Sequence, residues 1–292
     1  IHFTHHPEHK MVHLHQARYI QQLLEQFHMQ DAKTVMTPME ENHTLTQVED
    51  PEPGELEEMA GVPYAKLVGS LNFLSYCTRP DISCPVSILS RFVAEGKTRR
   101  KHWEAAKRVL RYLKGTATHG VTLGGTNPIQ LQAYADASWA DDLQDRKSTL
   151  GYCTFLGAGP ISWKSGKSSA VAQSTAESEY YAAGEAAKEV VHLRQLLQTM
   201  GFQQPMPTPF GSDSQAALAM TKNPEFHART KHIDIRHHWL RDIVREGVIQ
   251  PGYVATEHNP ADLLTKALGR EKHFYLLSLM KVQEDPEPTD DK

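Results

Sequence analysis

Four carboxylates, Asp136, Glu179, Asp213 and Asp262, stand where a folded chain can aim them at a common point. Asp136 closes an alternating run, Asp213 closes a short apolar run just before a helical stretch, and Asp262 opens the last helical stretch. Carboxylates at strand ends point into the crevice where α/β sheets bind ligands. Hard oxygen donors without cysteine suit magnesium or manganese rather than zinc. Clustered carboxylates that hold two such ions about 3.5–4 Å apart are a standard means of in-line phosphodiester cleavage. Taken singly each acid has an ordinary surface role, and spacing alone is only moderately specific.

Glu179 has Glu177 as a near neighbour, and helix phase separates them. Ser174 and Glu177 form an S-x-x-E pattern at a helix start, which places Glu177 to reach back to the cap. Glu179 instead heads the stripe Glu179, Ala183, Ala186, Val190, Leu193, Leu197, the core-facing side of the same helix. A carboxylate there is costly to bury unless paired or metal-bound. Glu177 therefore reads as structural and Glu179 as functional, the bland reading of Glu179 being a salt bridge.

Other reactive side chains carry less. Lys107, Arg111 and Lys114 give one helix a basic face that suits phosphates, although a solvated outer face fits the same spacing. Arg146 and Lys147 lie between two strands, where contact with a nucleic-acid backbone and a solvated turn are equally good readings. His227, His232, His237 and His238 cluster without implying a metal, and Ser212 and Ser214 beside Asp213 lack the G-x-S-x-G turn of a catalytic serine. Three cysteines are too few and scattered for a disulfide framework or a zinc site.

The elements that must position these residues follow from periodicity. The first third reads as helical, with Ile20, Leu23, Leu24 and Phe27 on one stripe of 17–29. Further helices are expected at 64–76, 81–94 and 98–115, the last ended by Gly115. Strands are expected at 129–136, 151–156 and 160–164, then a long helix over 175–200, a strand at 210–213 and a helix at 214–222. A helix at 230–246, a strand at 248–256 and a helix at 260–268 complete the order. Three meandering strands followed by alternating helices and strands predict an α/β fold. Its sheet would be mixed and five-stranded, antiparallel at one edge, parallel at the other and flanked by helices.

The division expected is 1–47 as one helical region, an acidic Pro/Gly-rich linker at 48–62 and a helical connection at 63–128. A domain at 129–268 carries the carboxylates, and the tail at 269–292 is expected to be partly disordered. No run approaches the ~20 apolar residues of a membrane helix, so no membrane is expected. A net charge of −4 means that any nucleic-acid contact rests on local basic patches. The first residue is Ile1, and the chain is expected to be part of a longer polypeptide.

The segments YADASWA (134–140), DRKSTLGY (145–152), ISWKS (161–165), STAESEYYA (174–182), SDSQAAL (212–218), KHIDIRHHWLR (231–241) and NPADLLTKAL (259–268) resemble the ribonuclease H of copia-class LTR retrotransposons. Upstream, YIQQLLEQFHM (19–29), PYAKLVGSLNFLS (63–75), TRPD (78–81) and HWEAAKRVLRYLKGT (102–116) resemble the end of the reverse transcriptase and its connection in the same Pol polyprotein. Many collinear motifs are far more specific than any one.

The resemblance implies a ribonuclease H-like fold behind a thumb-like and connection region, with two-metal hydrolysis of the RNA strand of an RNA–DNA hybrid. Its metal-binding positions fall on Asp136, Glu179, Asp213 and Asp262, with Mg2+ as two ions, or Mn2+. It also implies the polymerase half of the polyprotein as a partner and an intracellular setting, in a cytoplasmic virus-like particle or the nucleus. His258, four residues before Asp262, is a weaker candidate for a proton shuttle. The family's polymerase motif, an aromatic residue before paired aspartates in a hairpin, has no counterpart at Asp141-Asp142 or Asp290-Asp291. The rivals are an inactive or domesticated nucleic-acid-binding remnant and a related DNA nuclease such as an integrase, which the Asp-Glu-Asp-Asp order disfavours.

Overall fold

The computed structural model describes residues 1–41, 45, 51–94, 98–222 and 235–286. The chain divides into two compact units, 1–122 with 266–292, and 123–265.

In the first unit, helices α1 (Ala17–Gln26), α3 (Tyr64–Cys77), α4 (Ser83–Ser90) and α5 (Arg100–Gly115) bury one shared core. It includes Ile20, Leu23, Leu71, Leu74, Leu89, Leu110 and Leu113. At its heart the fully buried Arg79 grips Asp81 through Nε (3.0 Å) and Nη2 (2.7 Å), and Asp81 also accepts from Tyr112 Oη at 2.7 Å.

Three expectations for this unit are corrected. The chain opens not with helix but with a hairpin, β1 (His2–His6) and β2 (Met11–His15), which with β3 (Gly120–Gly124) and β9 (Val282–Gln283) makes a sheet of order β1-β2-β3-β9. Its buried positions are His6 and His13, which a count of apolar residues passes over. The supposed linker contains α2 (Glu55–Ala60), and Glu55 is buried, accepting hydrogen bonds from the backbone N–H of Arg100 (2.8 Å) and Glu52 (3.2 Å). The supposed tail forms α9 (Arg270–Leu279) and β9 (Val282–Gln283), which pairs antiparallel with β3 (Gly120–Gly124). Buried His273, Leu276, Leu277 and Met280 recur there at helical spacing, again with histidine at an inward position.

The second unit carries the expected mixed five-stranded sheet. Its strands are β4 (Leu131–Ser138), β5 (Thr149–Leu156), β6 (Gly159–Lys167), β7 (Thr208–Ser212) and β8 (Ile249–Tyr253), in the order β6-β5-β4-β7-β8. The β6-β5-β4 edge is antiparallel and the β4-β7-β8 edge parallel. Helix α6 (Thr175–Thr199) packs Tyr180, Ala183, Ala186 and Val190 against Ala133, Ala135 and Ala137. Helices α7 (Gln215–Lys222) and α8 (Ile235–Arg245) follow β7. The expected start of α8 at Thr230 lies outside the described residues, as do His227 and His232. The helix expected over 260–268 is a shorter 3-10 turn, Pro260–Leu264, capped by the side chain of Asn259.

Among the described residues no helix is long and apolar enough to cross a membrane.

Candidate metal centre

Alternation along β4 decides where Asp136 points. Ala133, Ala135 and Ala137 face α6, so Asp136 faces the other side of the sheet. It pairs across the ladder with Gly151 on β5. A Cβ on Gly151 would lie 2.7 Å from Thr265 Cγ2 and 2.9 Å from Leu264 Cβ. The missing side chain is what lets the segment 260–265 lie down beside Asp136.

That segment is held by Asn259, which is completely buried. Its Nδ2 donates to the carbonyl of Ala135 (3.0 Å), and its Oδ1 accepts from the N–H of Ala261 (3.2 Å). One residue after Ala261 comes Asp262, and Thr265 turns its hydroxyl onto Asp136 Oδ2. Asp213 arrives from the end of β7, and its Oδ2 accepts from the hydroxyl of Thr256 at 2.7 Å.

Asp136, Asp213 and Asp262 thereby bring carboxylate oxygens within 4.8 Å of one another. Asp136 and Asp262 are completely buried. Like charges so close repel strongly in a low dielectric, and a divalent cation is the partner that such hard oxygen donors accommodate. The residues present therefore fit magnesium or manganese.

Glu179 lies on the buried face of α6, 5% exposed, outside this group of three. The whole stripe it heads, from Ala183 to Leu197, is buried as helix phase requires. Glu177 is at the cap: its N–H donates to Ser174 Oγ (3.2 Å). Its carboxylate accepts from the N–H of Gln173 (2.8 Å) and from the hydroxyl of Tyr181. The bond to the chain is thus one residue earlier than the S-x-x-E pattern implies.

His258 is exposed at the end of a short 3-10 turn, Thr256–His258. Arg146 and Lys147 sit in the loop between β4 and β5, in the same unit as the carboxylates; Arg146 is exposed at φ +55°, and Lys147 Nζ is 4.0 Å from Asp145. Lys107, Arg111 and Lys114 belong to the other unit, and each has a partner there. Lys107 Nζ meets Glu104 at 2.6 Å, Arg111 Nε donates to the carbonyl of Lys33 at 2.7 Å, and Lys114 Nζ donates to that of Ala32 at 2.9 Å. Sequence reasoning did not single out Gly151, Thr256, Asn259 or Thr265 as supports of the site. Gly151, Asn259 and Thr265 lie within recognised motifs, but Gly151 gains its role only from strand register and Thr256 only from its hydrogen bond to Asp213.

No family model matches the chain. It is 44% identical over 261 residues to the retrovirus-related Pol polyprotein from transposon TNT 1-94 of Nicotiana tabacum, covering 89% of this chain and 19% of that protein. It is 40% identical over 264 residues to the corresponding polyprotein from transposon RE2 of Arabidopsis thaliana, covering 89% of this chain and 17% of that one. The chain thus spans less than a fifth of the length of these curated relatives. Among solved structures, the N-terminal RNase H domain of a Mycobacterium tuberculosis protein aligns with 51% of this chain and 97% of its own. It does so at 11% identity and a TM-score of 0.32, too low to support a conclusion.

Proposed function

Because the chain belongs to the copia-type retrovirus-related Pol polyproteins of retrotransposons, we propose that residues 123–265 act as a ribonuclease H on the RNA strand of an RNA–DNA hybrid. One observation supports this above all: three aspartates from distant stretches of chain converge at one end of the sheet. When bound, a pair of magnesium ions supplies activation of water and neutralisation of charge at the leaving 3′-oxygen.

The chain's own residues position that chemistry. Asp136, Asp213 and Asp262 are the ligands, and Glu179 is the fourth carboxylate of the set. Thr265 and Thr256 orient Asp136 and Asp213, and Asn259 fixes the segment that delivers Asp262. Arg146 and Lys147 meet backbone phosphates, while minor-groove contacts to 2′-hydroxyls identify the RNA strand. His258 is the secondary candidate for moving a proton near Asp262. Lys107, Arg111 and Lys114 are weaker phosphate contacts, being engaged within the first unit. The products are a 5′-phosphate and a 3′-hydroxyl, and the polymerase half of the polyprotein is the partner that delivers the hybrid.

The test compares labelled RNA–DNA hybrid, duplex DNA and single-stranded RNA, with and without magnesium. Cleavage of the hybrid's RNA strand alone, dependent on magnesium and lost in Asp136→Asn, is expected. Undiminished cleavage by Asp136→Asn overturns the assignment. Hybrid binding without any cleavage would make the chain an inactive nucleic-acid-binding relative.

A further inference from the structure

Three residues beyond Asp136, where β4 ends, an aromatic side chain is left half exposed. Trp139 follows the end of β4, three residues after Asp136, and is 45% exposed. Its one polar atom is already used: the indole Nε1–H donates to the carbonyl of Ala172 at 3.1 Å. The indole is therefore pinned by its edge, and the surface left to solvent is apolar. Val171, next to the residue that pins it, is 51% exposed, so the apolar surface continues onto the segment leading into α6. A contiguous apolar surface rimmed by polar residues is the form that contact surfaces take.

The loop that carries the ring is built to stay in place. Asp141 accepts from both the N–H and the hydroxyl of Thr149, each at 2.7 Å. The N–H of Ala140 donates to Ser148 Oγ at 3.1 Å. Ala140 itself adopts φ +51°, a left-handed conformation that costs a residue bearing a Cβ and persists only where its surroundings fix it. Ser168 N–H closes the other side on the carbonyl of Ser148 at 2.8 Å. Both loops that frame the ring are thus tied to each other as well as to β5.

We propose that the exposed indole of Trp139 is a stacking platform for a nucleotide of the hybrid bound at the carboxylates. It would set the strand's position along the site rather than take part in the chemistry. A flat ring accepts any base or the apolar face of a sugar, which suits a nuclease that works without sequence preference. The proposal rests on the ribonuclease H reading, and it makes Trp139 a positioning residue.

The experiment uses the full chain with Trp139→Ala and Trp139→Phe, measuring KM and kcat on a labelled hybrid in magnesium. Trp139→Ala is expected to raise KM roughly tenfold, with a smaller change in kcat, and Trp139→Phe to recover most of the loss. In the Asp136→Asn background, hybrid should quench tryptophan fluorescence, and Trp139→Phe should remove that quench while Trp103, Trp163 and Trp239 remain. A KM within about twofold of the parent for Trp139→Ala, with the quench kept in Trp139→Phe, overturns the platform. If the parent chain leaves hybrid uncut, the ribonuclease reading falls, and the fluorescence arm still decides whether Trp139 meets nucleic acid.

Discussion

Thr265 donates its hydroxyl to Oδ2 of Asp136 across 129 positions of sequence. The bond ties the segment that carries Asp262 to the central strand that carries Asp136. It also occupies one lone pair of a completely buried carboxylate, which restricts the directions in which that carboxylate can accept a cation. The same hydroxyl lies 3.3 Å from the carbonyl of Asp262, so one side chain touches the stretches of both acids.

Removing that hydroxyl tests its part in ligand orientation. Thr265→Val keeps the shape and loses the donor, while Thr265→Ser keeps the donor. Groups that orient metal ligands typically contribute 10–100-fold in metal affinity. The expected result for Thr265→Val is a rise of about tenfold or more in the magnesium concentration for half-maximal hybrid cleavage, with Thr265→Ser near the parent. A magnesium titration at saturating hybrid reads this directly, and unchanged titrations for Thr265→Val would leave the bond without a role at the site.

Gly151 makes a sharper test, because it lies opposite Asp136 and has no side chain of its own to offer a metal. A Cβ there would meet Thr265 Cγ2 at 2.7 Å, Leu264 Cβ at 2.9 Å and the carbonyl of Ala261 at 3.3 Å. Overpacking of this kind costs about 1–3 kcal/mol. Gly151→Ala is expected to lower the melting temperature modestly and to reduce cleavage at least about tenfold, since the segment bearing Asp262 must lift away from Asp136. Full cleavage with normal thermal stability would mean that the segment yields without disturbing the ligands.

What the sequence disclosed and what it hid divide along a physical line. Helix phase alone puts Glu179 on the buried stripe of α6, because a 3.6-residue period is a local property. The aspartates at strand ends are legible for the same reason, as are the order and type of the strands that follow. Thr265 and Gly151 are ordinary residues until the β4–β5 register brings Gly151 opposite Asp136 and lets 260–265 settle there. In the first unit, the hairpin and α9 escaped because His6, His13 and His273 occupy buried positions that hydrophobic patterns reserve for apolar residues.

His273 gives the first unit a dependence on pH. Burial holds its imidazole down to about 4, against the pull of Asp81, with Arg79 opposing protonation and Tyr112 Oη 3.0 Å from Nε2. Between the ordinary value near 6.5 and about 4, the unfolded chain binds a proton that the folded chain refuses, so stability falls as pH falls through that window. From pH 7 to pH 5 the loss is about 2 kcal/mol from this group. Asp81 is held below the usual carboxylate range against its own burial by Arg79, so its contribution is lost only at still lower pH. His13 and His119 are also lowered by burial and act in the same direction as His273. Urea denaturation at the two pH values should show His273→Phe losing less stability on acidification than the parent, and an equal loss in both would clear His273.

Glu177 and Glu179 should separate structural from functional carboxylates two residues apart on one helix. Glu177 accepts from the N–H of Gln173 at 2.8 Å and from the hydroxyl of Tyr181, bonds that secure the start of α6. Glu177→Gln keeps one oxygen and loses the charge near the helix N-terminus, a cost of about 1 kcal/mol. It should lower the melting temperature by a few degrees and leave most of the hybrid cleavage. Glu179→Gln keeps the side-chain shape on the core-facing stripe and should change stability less than Glu177→Gln does. Cleavage in magnesium should nevertheless fall by two orders of magnitude or more, on the order of 3 kcal/mol in the barrier. The paired readout is decisive because the two variants move stability and activity in opposite proportions. If Glu179→Gln cleaves normally while Glu177→Gln does not, the fourth carboxylate of the centre is Glu177, and helix phase chose the wrong residue.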